Sequence, residues 1–146
     1  MRLLKFSGTS SYKIMSFPEL KSMSDMTAEE LNYLSTVCFR DAQDVEGHLY
    51  YKGQERKAYA QTSFTLRGTK YHMRKAQLSL FLKLKEEGFQ MENWGEKLTT
   101  SHLCHKKDCL QKEHLTLETL EYNRERDDCL WRGHCLGHKD RPQCLV

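Results

Sequence analysis

The chain has 146 residues, 38% hydrophobic and 29% charged, the composition of one compact domain rather than of a disordered or low-complexity chain. No apolar run approaches the roughly 20 residues needed to span a bilayer, and Lys5 interrupts the apolar start, so no secretory signal is visible and an intracellular, reducing compartment is expected. The net charge of +3 is unevenly spread: from His48 to Lys85 nine basic residues face one acid, Glu55, giving +8 there and −5 elsewhere, the pattern of a surface that meets a polyanion.

Residues 1–26 are weakly patterned, with Ser, Gly and a lone Pro18, and read as a loosely held N-terminal arm ahead of a domain over 27–146. Thr27 and Glu30 have capping-box spacing, and Leu31, Leu34 and Val37 recur at helical intervals, which predicts a helix from Ala28 into Cys38. His48–Lys52 and Arg56–Leu66 read as two strands of a hairpin around Gly53, Gln54 and Glu55. Along the second strand Ala58, Ala60, Thr62, Phe64 and Leu66 alternate with Lys57, Tyr59, Gln61, Ser63 and Thr65, and Arg67 continues the polar series. Period two places these sets on opposite faces. The polar face could meet base edges and phosphates from a β-ribbon in a DNA groove. Gln77–Glu87, with Leu78, Phe81 and Leu82 before Gly88, reads as an amphipathic core helix.

Five of the six cysteines lie in the last third, where the large aliphatic residues needed for a core are scarce. In a reducing compartment such a set fits metal ligation better than disulfides. Cys104, Cys109 and His114 form a Cys-x4-Cys-x4-His run that suits zinc but lacks a fourth ligand, for which Cys38, the only other cysteine outside the downstream group, is the natural candidate. Cys129, Cys135, His138 and Cys144 supply a complete second set, with His134 as rival to His138. Zinc binding contributes roughly 10–16 kcal/mol in small metal-folded domains and would fold a region that cannot build its own core.

The stretch Ser101-His102-Leu103-Cys104-His105, the Cys104/Cys109/His114 spacing, His114-Leu115, and Asn123 twenty-one residues after His102 together resemble the His-Cys box homing endonucleases. The resemblance is specific over about 99–129 and loose over 38–98. It implies an α+β, ββα-metal (His-Me finger) nuclease with an antiparallel DNA-binding sheet and two structural zincs. It further implies Mg²⁺-dependent, site-specific cleavage of double-stranded DNA by a homodimer, with a nuclear location. Carried over by position, His102 corresponds to the general base and Asn123 to the single side-chain ligand of the catalytic Mg²⁺. Cys38, Cys104, Cys109 and His114 correspond to the first zinc site. Arg67 is the best match for the arginine at the scissile phosphate, with Arg74 and Arg56 as alternatives. Arg74 also joins Lys57, Tyr59, Gln61, Ser63 and Thr65 as an expected DNA contact. After Cys129 the spacing departs from the family pattern. His105 is given no catalytic step. The competing readings are a zinc-stabilised DNA-binding protein without cleavage, and a protein-interaction module for which the basic segment has no use.

Overall fold

The computed structural model describes residues 3–6, 10–15, 20, 23, 25–51, 60–88 and 98–145. Its first sheet has four strands: β1 (Leu3–Phe6), β2 (Ser10–Ile14), β5 (Gln61–Leu66) and β6 (Thr69–Arg74), in the order β1-β2-β6-β5. Strands β1 and β2 are antiparallel, and β2 runs parallel to β6. The N-terminal residues are therefore part of the sheet, and Met15 and Leu20 enter the core, where a loose arm was expected. Short strands with little alternation leave no periodic signal, and the pairing of β2 with β6 is made across more than fifty residues of sequence.

Helix α1 (Ala28–Phe39) begins in the expected capping box: Thr27 Oγ1 accepts from Glu30 N at 3.1 Å, and Glu30 Oε1 accepts from Thr27 N at 3.0 Å. Strands β3 (Ala42–Val45) and β4 (His48–Tyr51) pair with each other, and β5 pairs with β6. Among the described residues the two predicted strands do not pair with each other; residues 52–59, which include the expected turn and the strand ends beside it, lie outside the described set. Each strand instead turns at its other end. Glu46-Gly47 (φ 55° and 84°) and Arg67-Gly68 (φ 49° and 82°) are two-residue turns with positive φ at both positions, whose twist matches that of paired strands. Both are X-Gly pairs between apolar-patterned runs, so their signal was in the sequence.

Helix α2 (Lys75–Glu86) buries Leu78, Leu80, Phe81, Leu82 and Leu84 against Leu34, Val37 and Cys38 of α1 and against Phe64, Leu66, Tyr71 and Met73 of the sheet. Its other side reaches the C-terminal third, where Ser79 Oγ donates to the Leu110 carbonyl at 2.7 Å and Lys83 Nζ to the Leu115 carbonyl at 2.8 Å. There β7 (Leu98–His102) pairs antiparallel with β8 (Leu115–Thr119), His102 opposite Leu115, and helix α3 (Leu120–Arg132) follows directly. This is the expected ββα unit, and the chain as a whole is α+β. Among the described residues no helix is long and apolar enough to cross a membrane.

One ion pair locks this unit. Glu118 of β8 and Arg126 of α3 are 4% and 1% exposed and meet through two hydrogen bonds, Nε to Oε1 at 2.5 Å and Nη2 to Oε2 at 3.0 Å. Against the upward push of burial, these bonds hold the Glu118 carboxyl below its usual value. Removing one member of a buried pair strands the other charge, which costs about 3–5 kcal/mol. Glu118→Gln is accordingly expected to lower the unfolding free energy of the zinc-loaded protein, read from urea denaturation, by an amount of that order. Glu30→Gln keeps a capping oxygen and loses only an exposed pair with Arg67, so its effect should be far smaller; equal losses would show that the buried pair is not the lock.

Candidate functional site

Two groups of side chains converge as a tetrahedral metal would require. His48, Cys104, Cys109 and His114 form the first, and Cys129, Cys135, His138 and Cys144 the second; within each group the ligand atoms lie within 4.8 Å of one another. Bonds of about 2.0–2.3 Å to zinc set tetrahedral ligand separations near 3.3–3.8 Å. Cys109 Sγ lies 3.5 Å from His114 Nδ1, and His138 Nε2 lies 3.5 Å from Cys129 Sγ and 3.4 Å from Cys144 Sγ. The two sulfur-and-imidazole sets fit zinc.

The first set corrects one expectation. Cys38 is not in it: the thiol faces α2 in the apolar core, fully buried, and donates to the Lys75 carbonyl at 3.4 Å. Burial pushes it up to about 12, so it stays a protonated thiol, a poor metal ligand. The fourth place is taken by His48 at the start of β4. That strand is tied to the ligand loop by the bond from Leu110 N to the Leu49 carbonyl at 2.7 Å. The His48 and His114 rings meet edge-on at 5.0 Å, and the buried Nδ1 of His48 finds no hydrogen-bond partner among the described residues. A hydrogen bond from Cys104 drives the Cys109 thiol down to about 4 and raises Cys104 itself, so the pair already favours one thiolate.

The second set gathers the four residues expected from spacing. His138, not His134, belongs to it; exposed His134 points its Nδ1 at the Arg132 carbonyl, 3.2 Å away. Arg126 joins this set to the ββα unit, donating to the Pro142 carbonyl at 2.9 Å and reaching Cys144 Sγ at 3.3 Å.

A cleft of about 310 Å³ is lined by Thr100, His102, His105, Lys107, Leu120, Asn123, Arg124, Arg126, Asp127 and Leu130. His102 and Asn123, on different elements, thus share one cavity. The His102 ring hydrogen-bonds the backbone carbonyl of Cys109, a ligand of the first set, and burial holds it down to about 4. The imidazole is therefore neutral at physiological pH. Asn123 stands in the first turns of α3, whose N-terminus is capped by Thr119 Oγ1 accepting from Tyr122 N at 3.3 Å. Amide and carboxylate oxygens on this wall are hard donors of the kind Mg²⁺ takes, so Asn123 and its surroundings fit that ion.

Arg67 is not among the residues lining the cleft. It occupies the β5–β6 turn, where its Nε lies 2.9 Å from Glu30 Oε2. The cations on the cleft wall are Lys107, Arg124 and Arg126, of which Arg126 is committed to Glu118; sequence reasoning missed Lys107 and Arg124, although both lie within five residues of His102 or Asn123.

On β5, Gln61, Ser63 and Thr65 are exposed while Ala60, Phe64 and Leu66 are buried, as the alternation requires. Lys57, Tyr59 and the alternative Arg56 lie outside the described residues. The register sets Gln61 opposite Arg74, Ser63 opposite His72 and Thr65 opposite Lys70, which makes the outer face a two-stranded polar ribbon. His72 bridges it, pairing with Ser63 Oγ at 3.1 Å through Nδ1 and with Gln61 Oε1 through Nε2.

The model of a family described as the zinc-binding loop region of homing endonuclease matches residues 38–145, and the chain belongs to that family. No curated protein and no solved structure matches it.

The two clusters predict a split in zinc content. His48→Ala should lower bound zinc from two per chain to one, whereas Cys38→Ala should retain both and lose stability only through core packing. His138→Ala should lose the second zinc and His134→Ala should not. Atomic emission on purified variants reads all four; one zinc in Cys38→Ala with two in His48→Ala would restore Cys38 as the ligand.

Proposed function

We propose that this member of the homing-endonuclease family is a Mg²⁺-dependent endonuclease that hydrolyses phosphodiester bonds in double-stranded DNA at a specific site. The observation that carries the reading is the shared cleft of His102 and Asn123, in a chain that also holds two zinc-type clusters. Hydrolysis needs a base for water, a cation at the leaving oxygen and donors for the phosphate. His102 would supply the base: one ring nitrogen is engaged by the Cys109 carbonyl, which fixes the tautomer and leaves the buried Nε2 as the acceptor for a water proton. Asn123 would hold the cation through its amide oxygen. When bound, the ion supplies positive charge for the phosphate and leaving group. Lys107 and Arg124 line the same wall and are placed to orient the phosphate. Arg67 could do so only by giving up its pair with Glu30.

Retention of both His102 and Asn123 in one cleft favours cleavage over the non-catalytic DNA-binding alternative. His102→Ala is expected to abolish most cleavage of a target selected from a random duplex library in Mg²⁺, with DNA affinity and zinc content near parental values. His105→Ala should cut far better, because it lines the cleft without an assigned step. Parental cutting by His102→Ala would remove the assigned base.

The polar ribbon of β5 and β6 is the proposed DNA-reading surface, with Lys70 and Arg74 as phosphate contacts and Gln61 at a base edge. Lys70→Ala should weaken binding to all duplexes and reduce the log-log salt slope by about 0.9. Gln61→Ala should relax preference at one or two positions. Cutting both strands calls for two cleavage sites, and Trp131, 88% exposed, and Leu136, 80% exposed, offer apolar surface for pairing two chains. Sedimentation of the same complexes should show two chains per duplex. A salt slope unchanged in Lys70→Ala would exclude that strand from the interface, and one chain per duplex would exclude the dimer.

A further inference from the structure

Asp127 stands one helical turn beyond Asn123 on α3, and side chains four apart on a helix share a face, with Cβ atoms about 5–6 Å apart. Both line the cleft that holds His102, and Asp127 is the one acidic residue on that wall, among Lys107, Arg124 and Arg126. The other acids of the helix region are placed differently. Glu118 is spent on Arg126 and Arg141, Glu125 meets Arg141 at 3.1 Å, and neither Glu121 nor Asp128 is a lining residue. Asp127 forms no ion pair among the described residues.

A carboxylate turned toward the place where a phosphate diester must sit is unfavourable by itself, because like charges at close range repel. A divalent cation between them reverses the sign of that interaction. Mg²⁺ takes oxygen donors, is commonly held by one or two carboxylates together with substrate phosphates, and keeps several waters. A single neutral amide offers it a lone pair but no charge.

We propose that Asp127 is a second protein ligand of the catalytic cation, so that the ion is held by the Asn123 amide oxygen and the Asp127 carboxylate from successive turns of α3. The inference rests on the nuclease reading of the cleft. It makes the cation site partly preformed in the protein without DNA, with ligand charge supplied by the chain itself. The alternative use of Asp127 is to orient His105, whose ring feels its charge.

Mn²⁺ binding to the full chain with both zinc sites filled, read from the loss of the free-ion EPR signal, tests this without any cleavage assay. The parent should bind one Mn²⁺ in the absence of DNA. Asp127→Asn should weaken binding at least about tenfold, as should Asn123→Ala, while Asp127→Glu recovers part of the affinity and His105→Ala leaves it unchanged. Zinc content and far-UV circular dichroism of each variant should match the parent, which separates a lost ligand from a lost fold. If Asn123→Ala loses Mn²⁺ and Asp127→Asn binds it like the parent, the Asp127 ligand is overturned and the nuclease reading stands. If His105→Ala loses Mn²⁺ as Asp127→Asn does, Asp127 acts through His105 and the proposal is overturned. If the parent retains no Mn²⁺ even with an uncleavable duplex present, both the proposal and the cation-dependent reading fall.

Discussion

The cleft depends on the first metal cluster, because beyond the pairing of β7 with β8 it is ligation that ties the loop after His102 to the rest of the chain. Strand β7 ends at His102, and the loop that follows is short, polar and turned back by the bond from His105 N to the His102 carbonyl. Two cluster ligands, Cys104 and Cys109, lie in that loop, and the carbonyl of the second receives the His102 ring. The other two come from elsewhere: His48 from β4, and His114 from the turn before β8. Ligation therefore cross-links three segments that apolar burial alone would hold weakly, with a binding free energy of roughly 10–16 kcal/mol in comparable sites. The orientation of the proposed base and the integrity of the zinc site are one property, since the atom that fixes the imidazole belongs to a ligand residue.

The opposite wall is held by different means. Helix α3 is anchored at its start by Thr119 and at its end by Cys129 of the second cluster, and in between by Arg126. That guanidinium is the junction: it meets Glu118 on the strand before the helix, the Pro142 carbonyl, and the Cys144 sulfur. A charged network this deeply buried is less stabilising than an apolar filling of equal volume would be. Its gain is directional, because a planar fork fixes the rotation of α3 about its axis as a greasy contact would not. Rotation is what points Asn123 into the cleft.

Features with a local code were legible in the sequence. The capping box of α1, the alternation of β5, and the four ligands of the second cluster, all within sixteen residues, needed no knowledge of distant contacts. The first cluster did need it. His48 lies more than fifty residues before Cys104, and nothing in its neighbours marks it as a ligand. Cys38 attracted the role because it is a cysteine, yet it follows Leu34 by four residues and so continues the buried stripe of α1; helical periodicity predicts the burial that the structure shows. The hairpins went astray for a related reason, since two-residue turns at Glu46-Gly47 and Arg67-Gly68 compete successfully with a longer connection. The N-terminal strands had no pattern to read, and their place comes from pairing with β6.

On the proposed reading the chain holds two kinds of metal, and donor chemistry keeps them apart. The clusters present thiolates and imidazoles, soft to borderline donors in fours, which favour zinc and leave no open position. The cleft wall presents an amide oxygen, a carboxylate and guanidinium groups, and only His102 and His105 as nitrogen donors. Two imidazoles and no thiolate line it, so an incoming zinc ion would find fewer strong donors there than in either cluster. Mg²⁺, which dehydrates reluctantly and accepts few protein ligands, loses little in the same place. On the proposed reading, an imidazole engaged on one side and buried enough to stay neutral is available for the water proton, and the hydrogen bond that orients it ties the base to a ligand residue of the first cluster.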